Sequence, residues 1–198
     1  NVRTAVAGGI CAELLAPKKI DSIGVIGTGV QARMQVNYIS NIIECKKVKV
    51  WGRSKISVEK YIEEMSDSEL EISNAIHTDE IAESCNLIIT TTPSKIPLIK
   101  KDKLKKGTLI IAVGSDSPEK QELDEKILQE ADYIVADSIA QCIERGEISH
   151  GLKNNIINQD QIVELGNLID NKKNVSCAGD QIIVADLTGV AVQDIQIA

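Results

Sequence analysis

The stretch IGVIGTGVQA, residues 23–32, joins a short β-prone apolar run to a helical pattern through two closely spaced glycines. A strand, a G-x-G-x-x-A turn and a helix in this order are typical of the turn that holds a dinucleotide pyrophosphate. Gly27 would make the tight turn, Gly29 would let the backbone approach the phosphates, and Ala32 would let helix and strand pack closely. The helix N-terminus would add unpaired N–H groups and partial positive charge. The stretch therefore predicts a dinucleotide site, with an ordinary strand-to-helix turn as the alternative.

The composition limits the class of protein. A chain of 198 residues is enough for one ordinary domain with a buried core. It carries 22 Lys and Arg against 29 Asp and Glu, a formal net charge of −7, which argues against a nucleic-acid partner. No apolar run reaches the length of a membrane span, and the first residues lack the layout of a signal peptide. We expect a cytoplasmic protein with no membrane partner.

The cysteines are odd in number, widely spaced and without a C-x-x-C pair: Cys11, Cys45, Cys85, Cys142 and Cys177. This usage favours reduced, buried thiols over disulfides or a zinc site. With only two histidines besides, His77 and His150, the chain offers few metal ligands, and we predict no metal.

Strand-like and helix-like patterns alternate along the chain, which predicts an α/β fold with a doubly wound parallel sheet. Strands are expected at 23–26, 47–51, 70–76, 87–92, 108–113, 133–136 and 181–185. Helices are expected at 1–16, loosened at Gly8-Gly9 and ended by Pro17, and at 30–43, 57–65, 78–84, 119–130, 137–145 and 161–169. A further helix-like pattern covers 190–198, and residues 147–152 are expected to form a loop in which His150 is exposed.

The end of the second predicted strand bears on the choice of cofactor. A site for NAD usually places Asp or Glu about 20 residues after the glycines, where it binds the ribose 2′-hydroxyl. Here Gly52, Arg53 and Ser54 follow the strand, and the first carboxylate is Glu59. A guanidinium and a hydroxyl suit a 2′-phosphate, so NADP is favoured over NAD, with a solvated loop arginine as the alternative.

Two further strands end in polar residues at the edge where the glycine turn lies. Thr91 and Thr92 follow one buried strand, either as contacts to the cofactor ribose and nicotinamide or as ordinary strand formers. Asp116 follows another buried strand, after Gly114. A carboxylate beside the nicotinamide would be a general-base candidate, whereas the same Asp before a helix would be an N-cap. The residues alone favour neither of these two roles of Asp116 over the other.

Several segments together resemble the ornithine cyclodeaminase and mu-crystallin family. They occur in the family's order and cover nearly the whole chain: RTAVAGG, IGTGVQA, VWGRS, TTTP, AVGSDSPEKQELD, ADYIVAD and DLTGVAVQD. The resemblance implies a Rossmann domain that binds NAD(H) or NADP(H). It also implies a second domain, which binds a small amino or imino acid and forms a homodimer. This chain would lack the larger part of that domain. In this interpretation residues 1–17 are a linking helix from the substrate domain, 18–180 form the NAD(P)-binding domain, and 181–198 return toward the substrate domain.

The resemblance also implies roles for matching positions. Arg3 resembles the arginine that holds the substrate carboxylate, and Asp116 is similar to the acid/base aspartate of the cyclodeaminases. Thr188, beside Leu187, would close over nicotinamide and substrate. In addition to Gly27, Gly29, Arg53 and Ser54, the implied cofactor contacts are Thr4, Val30, Gln31, Thr92, Val113, Gly114, Ser115, Lys120 and Leu187.

The implied reaction is NAD(P)-dependent cyclodeamination, such as ornithine to proline and ammonia, or an amino-acid dehydrogenase or ketimine reductase reaction. Two departures put ornithine in doubt: Leu187 stands where cyclodeaminases tend to have serine, and Gly52-Arg53 replaces their acidic ribose contact. The family's substrate-binding lysine and a further arginine would lie upstream of residue 1. A crystallin-like protein that binds NADP(H) without turnover is the alternative, and Asp116 favours catalysis.

Overall fold

A computed structural model describes residues 2–171 and 179–189 of the chain. In this part of the chain the strands form a parallel sheet in the order β3-β2-β1-β4-β5-β8-β6-β7. The strands are β1 Ile23–Ile26, β2 Lys47–Trp51, β3 Glu71–Asn74, β4 Leu87–Thr90, β5 Thr108–Ala112, β6 Tyr133–Ala136, β7 Ile162–Glu164 and β8 Ile182–Asp186. The predicted doubly wound parallel sheet is confirmed.

Helices cover both faces of the sheet. They are α1 Val2–Leu15, α2 Val30–Ser40, α3 Lys55–Glu64, α4 Thr78–Ser84, α5 Lys126–Glu130, α6 Ile139–Cys142, α7 Glu147–Lys153 and α8 Leu165–Asn171, with 3₁₀ turns at Lys101–Lys103 and Gln159–Gln161. Val36 of α2 and Tyr61 of α3 belong to the apolar cluster on one face, and Ile81 of α4 and Ile148 of α7 belong to the cluster on the other. Because β1, β4 and β5 are buried along their whole length, their sequences are continuous apolar runs.

The carboxyl ends of the central strands form one row across the sheet. In the register of the sheet, neighbouring strands place these residues side by side: Trp51, Ile26, Thr90, Ala112, Asp186 and Ala136. The strand order reverses between β1 and β4, which is the position where open α/β sheets bind their ligands. The loops that follow β1, β2, β4 and β5 therefore meet at one edge.

The first helix is continuous, so the predicted loosening at Gly8-Gly9 is wrong. Both glycines are buried, and a Cβ atom built on Gly8 would lie 1.9 Å from Oε1 of Gln35 in α2. The Gln35 Nε2 group donates a hydrogen bond of 2.8 Å to the Thr4 carbonyl oxygen. The glycines thus let α1 and α2 pack closely.

Three other predicted elements need correction. The helix expected at 119–130 begins only at Lys126, because the preceding segment runs beside residues 98–99, with Leu98 N–H donating to the Glu122 carbonyl at 2.7 Å. The loop expected at 147–152 is helix α7, which begins after Gly146 in a left-handed conformation (φ 87°). The helix expected at 161–169 begins as the edge strand β7, paired with β6, and becomes helical at Leu165.

The terminal segments differ in how much of them can be described. The strand expected at 181–185 is β8, which lies inside the sheet between β5 and β6. The helix-like pattern at 190–198 lies outside the described residues. The described cysteines are buried free thiols, as expected: Cys11, Cys45, Cys85 and Cys142. Cys177 lies outside the described residues. Within residues 2–171 and 179–189, no helix is both long and apolar enough to cross a membrane.

Candidate functional site

The glycine turn lies between β1 and α2. Gly27 has a φ of 119°, a conformation that favours glycine, and its N–H donates to the Trp51 carbonyl at 2.9 Å. A Cβ atom at this position would lie 2.4 Å from the Thr91 Oγ1 atom. Gly27 is therefore required by the backbone of the turn itself, as predicted.

Gly29 differs from Gly27 in that the fold does not require a glycine there. It is the N-cap of α2, with ordinary extended angles (φ −78°, ψ −174°) and no side-chain cap. A Cβ atom built on Gly29 would meet nothing within 4 Å, so the position faces open space. Helix α2 begins at this space, and the first N–H groups of a helix have no partner within it, which suits an anion. This is the geometry expected where a pyrophosphate approaches the backbone.

A basic residue that the sequence analysis did not single out supports the turn. The Arg33 guanidinium donates to the Thr28 carbonyl at 3.2 Å and lies 2.6 Å from the Glu64 carboxylate of α3. Arg33 thus joins the glycine turn, α2 and α3. Its spacing from the glycines carries no signal of this role, because Glu64 is distant in sequence.

A cleft of about 390 Å³ opens at this edge of the sheet. It brings together several predicted site residues, namely Gly27, Gly29, Arg53, Ser54 and Thr92. It is also lined by residues that sequence reasoning gave no binding role: Thr28, Trp51, Ser57, Pro93, Ser94 and Leu98. The cleft runs from the glycine turn to the loops after β2 and β4, as a dinucleotide site of this fold requires.

The two residues expected to select the cofactor lie at the start of α3. Arg53 is exposed at the mouth of the cleft. Ser54 is the N-cap of α3, and its Oγ accepts a hydrogen bond of 3.2 Å from the Ser57 N–H. Because a hydroxyl can accept and donate at the same time, this cap is compatible with a contact to a phosphate.

The predicted contact Thr92 is bonded to a buried carboxylate that sequence reasoning placed in a helix. Glu122 Oε1 accepts from the Thr92 N–H at 2.5 Å and from the Thr92 hydroxyl at 2.7 Å. Its Oε2 accepts from the Thr90 hydroxyl at 2.7 Å and from the Gly114 N–H at 3.0 Å. Burial raises the pKa of Glu122, and these four hydrogen bonds oppose the rise.

Two more buried carboxyl groups lie behind Glu122. Glu147 accepts from the N–H groups of Glu122 and Leu123 at 2.8 and 3.1 Å, and burial raises its pKa to about 8. Asp186, at the end of β8, accepts from the Ile148 N–H at 2.9 Å. Burial, followed by the charge of Glu147, raises the pKa of Asp186 well above its ordinary value. Glu147 was not predicted as a buried group because residues 147–152 were expected to form a loop, and no role was predicted for Asp186.

Asp116 is exposed and forms an ion pair of 2.6 Å with Lys120. No helix begins next to Asp116, since α5 starts at Lys126, so the N-cap alternative for Asp116 is wrong. The Lys120 carbonyl is held by the Ser115 hydroxyl at 2.6 Å and by His150 Nε2 at 2.8 Å. His150 is consequently half-buried and bonded, which corrects the expectation of an exposed residue.

The predicted residues near the two chain ends lie close to one another. The Thr188 hydroxyl donates to Asp137 at 3.3 Å, and the Gly189 N–H donates to the same carboxylate at 2.7 Å. A Cβ atom on Gly189 would lie 3.4 Å from Nη2 of Arg3. Buried Leu187 continues the sheet, its N–H donating to the Ala112 carbonyl at 2.8 Å. Arg3 and the 187–189 segment thus meet beside the carboxyl end of β5.

The other predicted contacts vary in their placement. Val30 is exposed in the first turn of α2, and Gln31 follows it. Val113 and Ser115 are buried on either side of Gly114. In the described ranges, no group of three His, Cys, Asp or Glu side chains is arranged to hold a metal ion.

A parallel doubly wound sheet with an open glycine turn at its switch point defines a Rossmann-type nucleotide-binding domain. The sequence model of the ornithine cyclodeaminase/mu-crystallin family matches residues 1–198. The chain belongs to this family, as the resemblance of its motifs predicted.

Individual relatives agree with the family assignment. The chain is 34% identical to an alanine dehydrogenase of Archaeoglobus fulgidus over 199 residues, which is all of this chain and 61% of that protein. The structure of an archaeal alanine dehydrogenase dimer with bound NAD superposes with a TM-score of 0.91 at 33% identity, over 98% of this chain and 60% of that one. The Thermococcus litoralis Δ1-pyrroline-2-carboxylate reductase, in complex with NADH and L-proline, gives a TM-score of 0.90 at 26% identity, over 97% and 60%. The chain spans about 60% of the length of these relatives.

Proposed function

We propose that this protein is an NAD(P)-dependent enzyme that acts on a small amino or imino acid. The observation that carries the proposal is the open space at Gly29, where the N-terminus of α2 faces a cleft that continues to Thr92. The fold does not require glycine at this position, whereas the close approach of a pyrophosphate to the backbone does. The relatives described above, which include a dehydrogenase with bound NAD and a reductase with NADH, support the same cofactor class.

The residues of the chain divide the work along the cleft. Gly29 and the first N–H groups of α2 bind the pyrophosphate, and Arg53 with Ser54 binds the ribose phosphate of NADP. Thr92 and Gly114 shape the site near the nicotinamide. When bound, the nicotinamide supplies the acceptor or donor of a hydride at the substrate α-carbon.

The catalytic role in this proposal belongs to Asp116. As a carboxylate at the carboxyl end of β5, it accepts a proton from the substrate amine in oxidation and returns it in reduction. Lys120, 2.6 Å from Asp116, holds the carboxylate in place. Arg3 binds the substrate carboxylate, and Thr188 with Leu187 closes over the substrate.

Dehydrogenation of an amino acid, or the reverse reduction of an imine, is favoured over cyclodeamination. Among the similar proteins, an alanine dehydrogenase and a Δ1-pyrroline-2-carboxylate reductase agree with this choice, whereas a lysine cyclodeaminase of 25% identity does not. A serine that cyclodeaminases tend to have is replaced by Leu187, whose side chain is buried. The proposal includes a homodimer in the cytoplasm, which the dimeric archaeal alanine dehydrogenase supports for the assembly.

A binding protein without turnover is the second candidate. The observation in its favour is the ion pair itself, because Lys120 already engages the Asp116 oxygen that would have to accept a proton. Proton transfer therefore requires the pair to open or to rearrange when substrate binds.

The test is a substrate screen on the whole protein, with NAD and NADP for alanine, proline and ornithine, and with NADH and NADPH for Δ1-pyrroline-2-carboxylate. Both nicotinamide absorbance and ammonia release are followed. A lasting change of absorbance supports dehydrogenase or reductase activity. Ammonia release from ornithine without a lasting change identifies a cyclodeaminase, and cofactor binding without either supports the second candidate. Failure to bind either cofactor contradicts the proposal as a whole.

A further inference from the structure

A single side chain, that of Glu122, holds the loop after β4 to the start of the loop after β5. Glu122 is fully buried and accepts hydrogen bonds from Thr90, Thr92 and Gly114. Each carboxylate oxygen takes two of the four bonds, and each takes one backbone N–H group. Glu122 therefore ties the loop after β4 to the start of the loop after β5, in which it lies itself, eight residues beyond Gly114.

The position of these bonds explains what the carboxylate does. The hydrogen bond from Val113 N–H to the Thr90 carbonyl is the last between β4 and β5, at 2.9 Å. Beyond this bond the segments that follow β4 and β5 no longer pair with each other. The N–H groups of Thr92 and Gly114 donate to Glu122 instead. The carboxylate thus replaces the sheet pairing at the point where the strands become site loops.

Glu122 is itself held through its own backbone groups. Its carbonyl accepts from the N–H groups of Leu98 and Ile99 at 2.7 and 3.1 Å. Its own N–H donates to Glu147 Oε1 at 2.8 Å, and the Leu123 N–H donates to Oε2 of the same residue at 3.1 Å. A buried acceptor whose backbone N–H and carbonyl groups are both hydrogen-bonded has little freedom to move, so it imposes its position on the loops it binds.

We infer that Glu122 is a positioning residue for the nicotinamide half of the cofactor. It acts through Thr92 and Gly114, whose relative position it sets, and it does not contact the cofactor. The inference rests on the proposed function, because it assumes that these two loops line the nicotinamide end of the cleft. The adenosine half is bound elsewhere, at Gly29 and Arg53, which Glu122 does not touch.

The bonding pattern requires a carboxylate and rejects its amide. The N–H groups of Thr92 and Gly114 can only donate, and they bond to different oxygens of Glu122. A glutamine has one oxygen and one NH₂ group, so either orientation of the amide sets the NH₂ group against one of the two N–H groups. Glu122→Gln should therefore separate the loops while nearly preserving side-chain volume.

The experiment compares binding of NADH with binding of ADP by calorimetry in the whole protein. ADP carries the adenosine half and lacks the nicotinamide. We expect Glu122→Gln to raise the Kd for NADH by about ten- to a hundredfold, and to change the Kd for ADP by no more than about threefold. Glu164→Gln is the matched control: Glu164 accepts the Ile139 N–H at 3.0 Å at the far edge of the sheet, so both Kd values should stay unchanged.

The possible results separate this inference from the proposed function. If the unmodified protein binds none of NADH, NADPH and ADP, the proposed function fails and the inference fails with it. If it binds the reduced cofactor and ADP, and Glu122→Gln leaves the Kd of the reduced cofactor unchanged or weakens both ligands equally, the inference alone is overturned. An equal loss would mean that Glu122 merely supports the fold.

A second variant covers the case in which Glu122→Gln does not fold. Thr90 is buried, and its hydroxyl donates to Glu122 without lining the cleft. Thr90→Val keeps the shape and removes one of the four bonds. It should weaken NADH by about three- to tenfold and leave ADP unchanged. An unchanged ratio of the two Kd values in folded Thr90→Val protein would contradict the inference.

Discussion

The Lys120 ammonium group lies 2.6 Å from the Asp116 carboxylate, four residues earlier in the chain, although no helix joins them. The Lys120 carbonyl is fixed by Ser115 and His150, so the backbone at one end of the pair is anchored. Asp116 itself is 57% exposed. The structure therefore presents this carboxylate to solvent in the loop that follows β5.

Asp116→Asn should separate catalysis from stability. Asparagine has nearly the same shape but cannot accept a proton at neutral pH, so turnover should fall by roughly 10²–10⁴-fold. Because exposed ion pairs contribute about 0–1 kcal/mol, the free energy of unfolding should change by no more than that. Turnover and thermal unfolding of the same preparation measure both effects.

The control for Asp116→Asn is Glu83→Gln. Glu83 is 54% exposed and pairs with Lys103 at 2.9 Å, away from the cleft. Its loss should change neither turnover nor unfolding measurably. An Asp116→Asn protein with the turnover of the unmodified enzyme would remove Asp116 from the reaction and favour a binding protein.

Arg53→Ala tests the choice between NADP and NAD. The guanidinium is exposed at the mouth of the cleft and, if it binds the 2′-phosphate, its removal should weaken NADP by about tenfold, or 1.4 kcal/mol, and leave NAD unchanged. Calorimetric titration of both cofactors gives the two ratios. Lys46→Ala removes an exposed lysine paired with Glu69 at the opposite edge of the sheet and should have no effect. Equal affinities of the unmodified protein for NAD and NADP would reject the preference.

The sheet and its glycine turn were accessible from sequence because their signals are local. The apolar run before Gly27 reads as a buried strand, and the left-handed angle at Gly27 is one that glycine adopts readily. The same holds for Ser54, whose hydroxyl caps the helix that follows. The roles of such residues depend on their neighbours in the sequence, so they can be predicted without knowledge of the fold.

The buried carboxyl groups were not accessible in this way. Residues 119–125 have the polar composition of a helix, but pairing of Glu122 with residues 98–99 and burial of its side chain override that propensity. Glu147 reads as an exposed loop residue until α7 is placed against the loop of residues 122–123. Contacts between residues about 25 positions apart determine the burial of both Glu122 and Glu147, and such contacts cannot be predicted from a local pattern.

Glu147 should make the protein less stable as the pH rises toward 8. Burial raises the pKa of Glu147 from 4.5 to about 8, so the folded protein binds a proton more tightly than the unfolded chain. The stabilisation is complete below about pH 4.5 and is lost as the pH passes through about 8. Glu147→Gln removes this titration. The Tm of the unmodified protein minus the Tm of Glu147→Gln should therefore fall as the pH rises from 5.5 to 8.

The slope of that comparison is the informative quantity. Glutamine cannot accept from both the Glu122 and Leu123 N–H groups, so the lost hydrogen bond adds a constant destabilisation of Glu147→Gln, on which the pH-dependent part of the Tm difference is superimposed. The control Glu164→Gln should retain the pH profile of the unmodified protein. Parallel Tm profiles for Glu147→Gln and the unmodified protein would show that Glu147 does not titrate in this range.

Gly27 and Gly29 should respond in opposite ways to substitution by alanine. Gly27→Ala forces a side chain into a left-handed angle and against Thr91, so it should lower the free energy of unfolding by about 1–3 kcal/mol. Gly29→Ala places its methyl group in open space at ordinary angles and should leave stability unchanged or raise it by about 0.4–1 kcal/mol. That methyl group occupies the space proposed for the pyrophosphate, so Gly29→Ala should weaken NADH and ADP together by about tenfold or more. Thermal unfolding and calorimetry distinguish the two variants, and a stable Gly29→Ala protein with unchanged affinity for both ligands would remove the pyrophosphate from the N-terminus of α2.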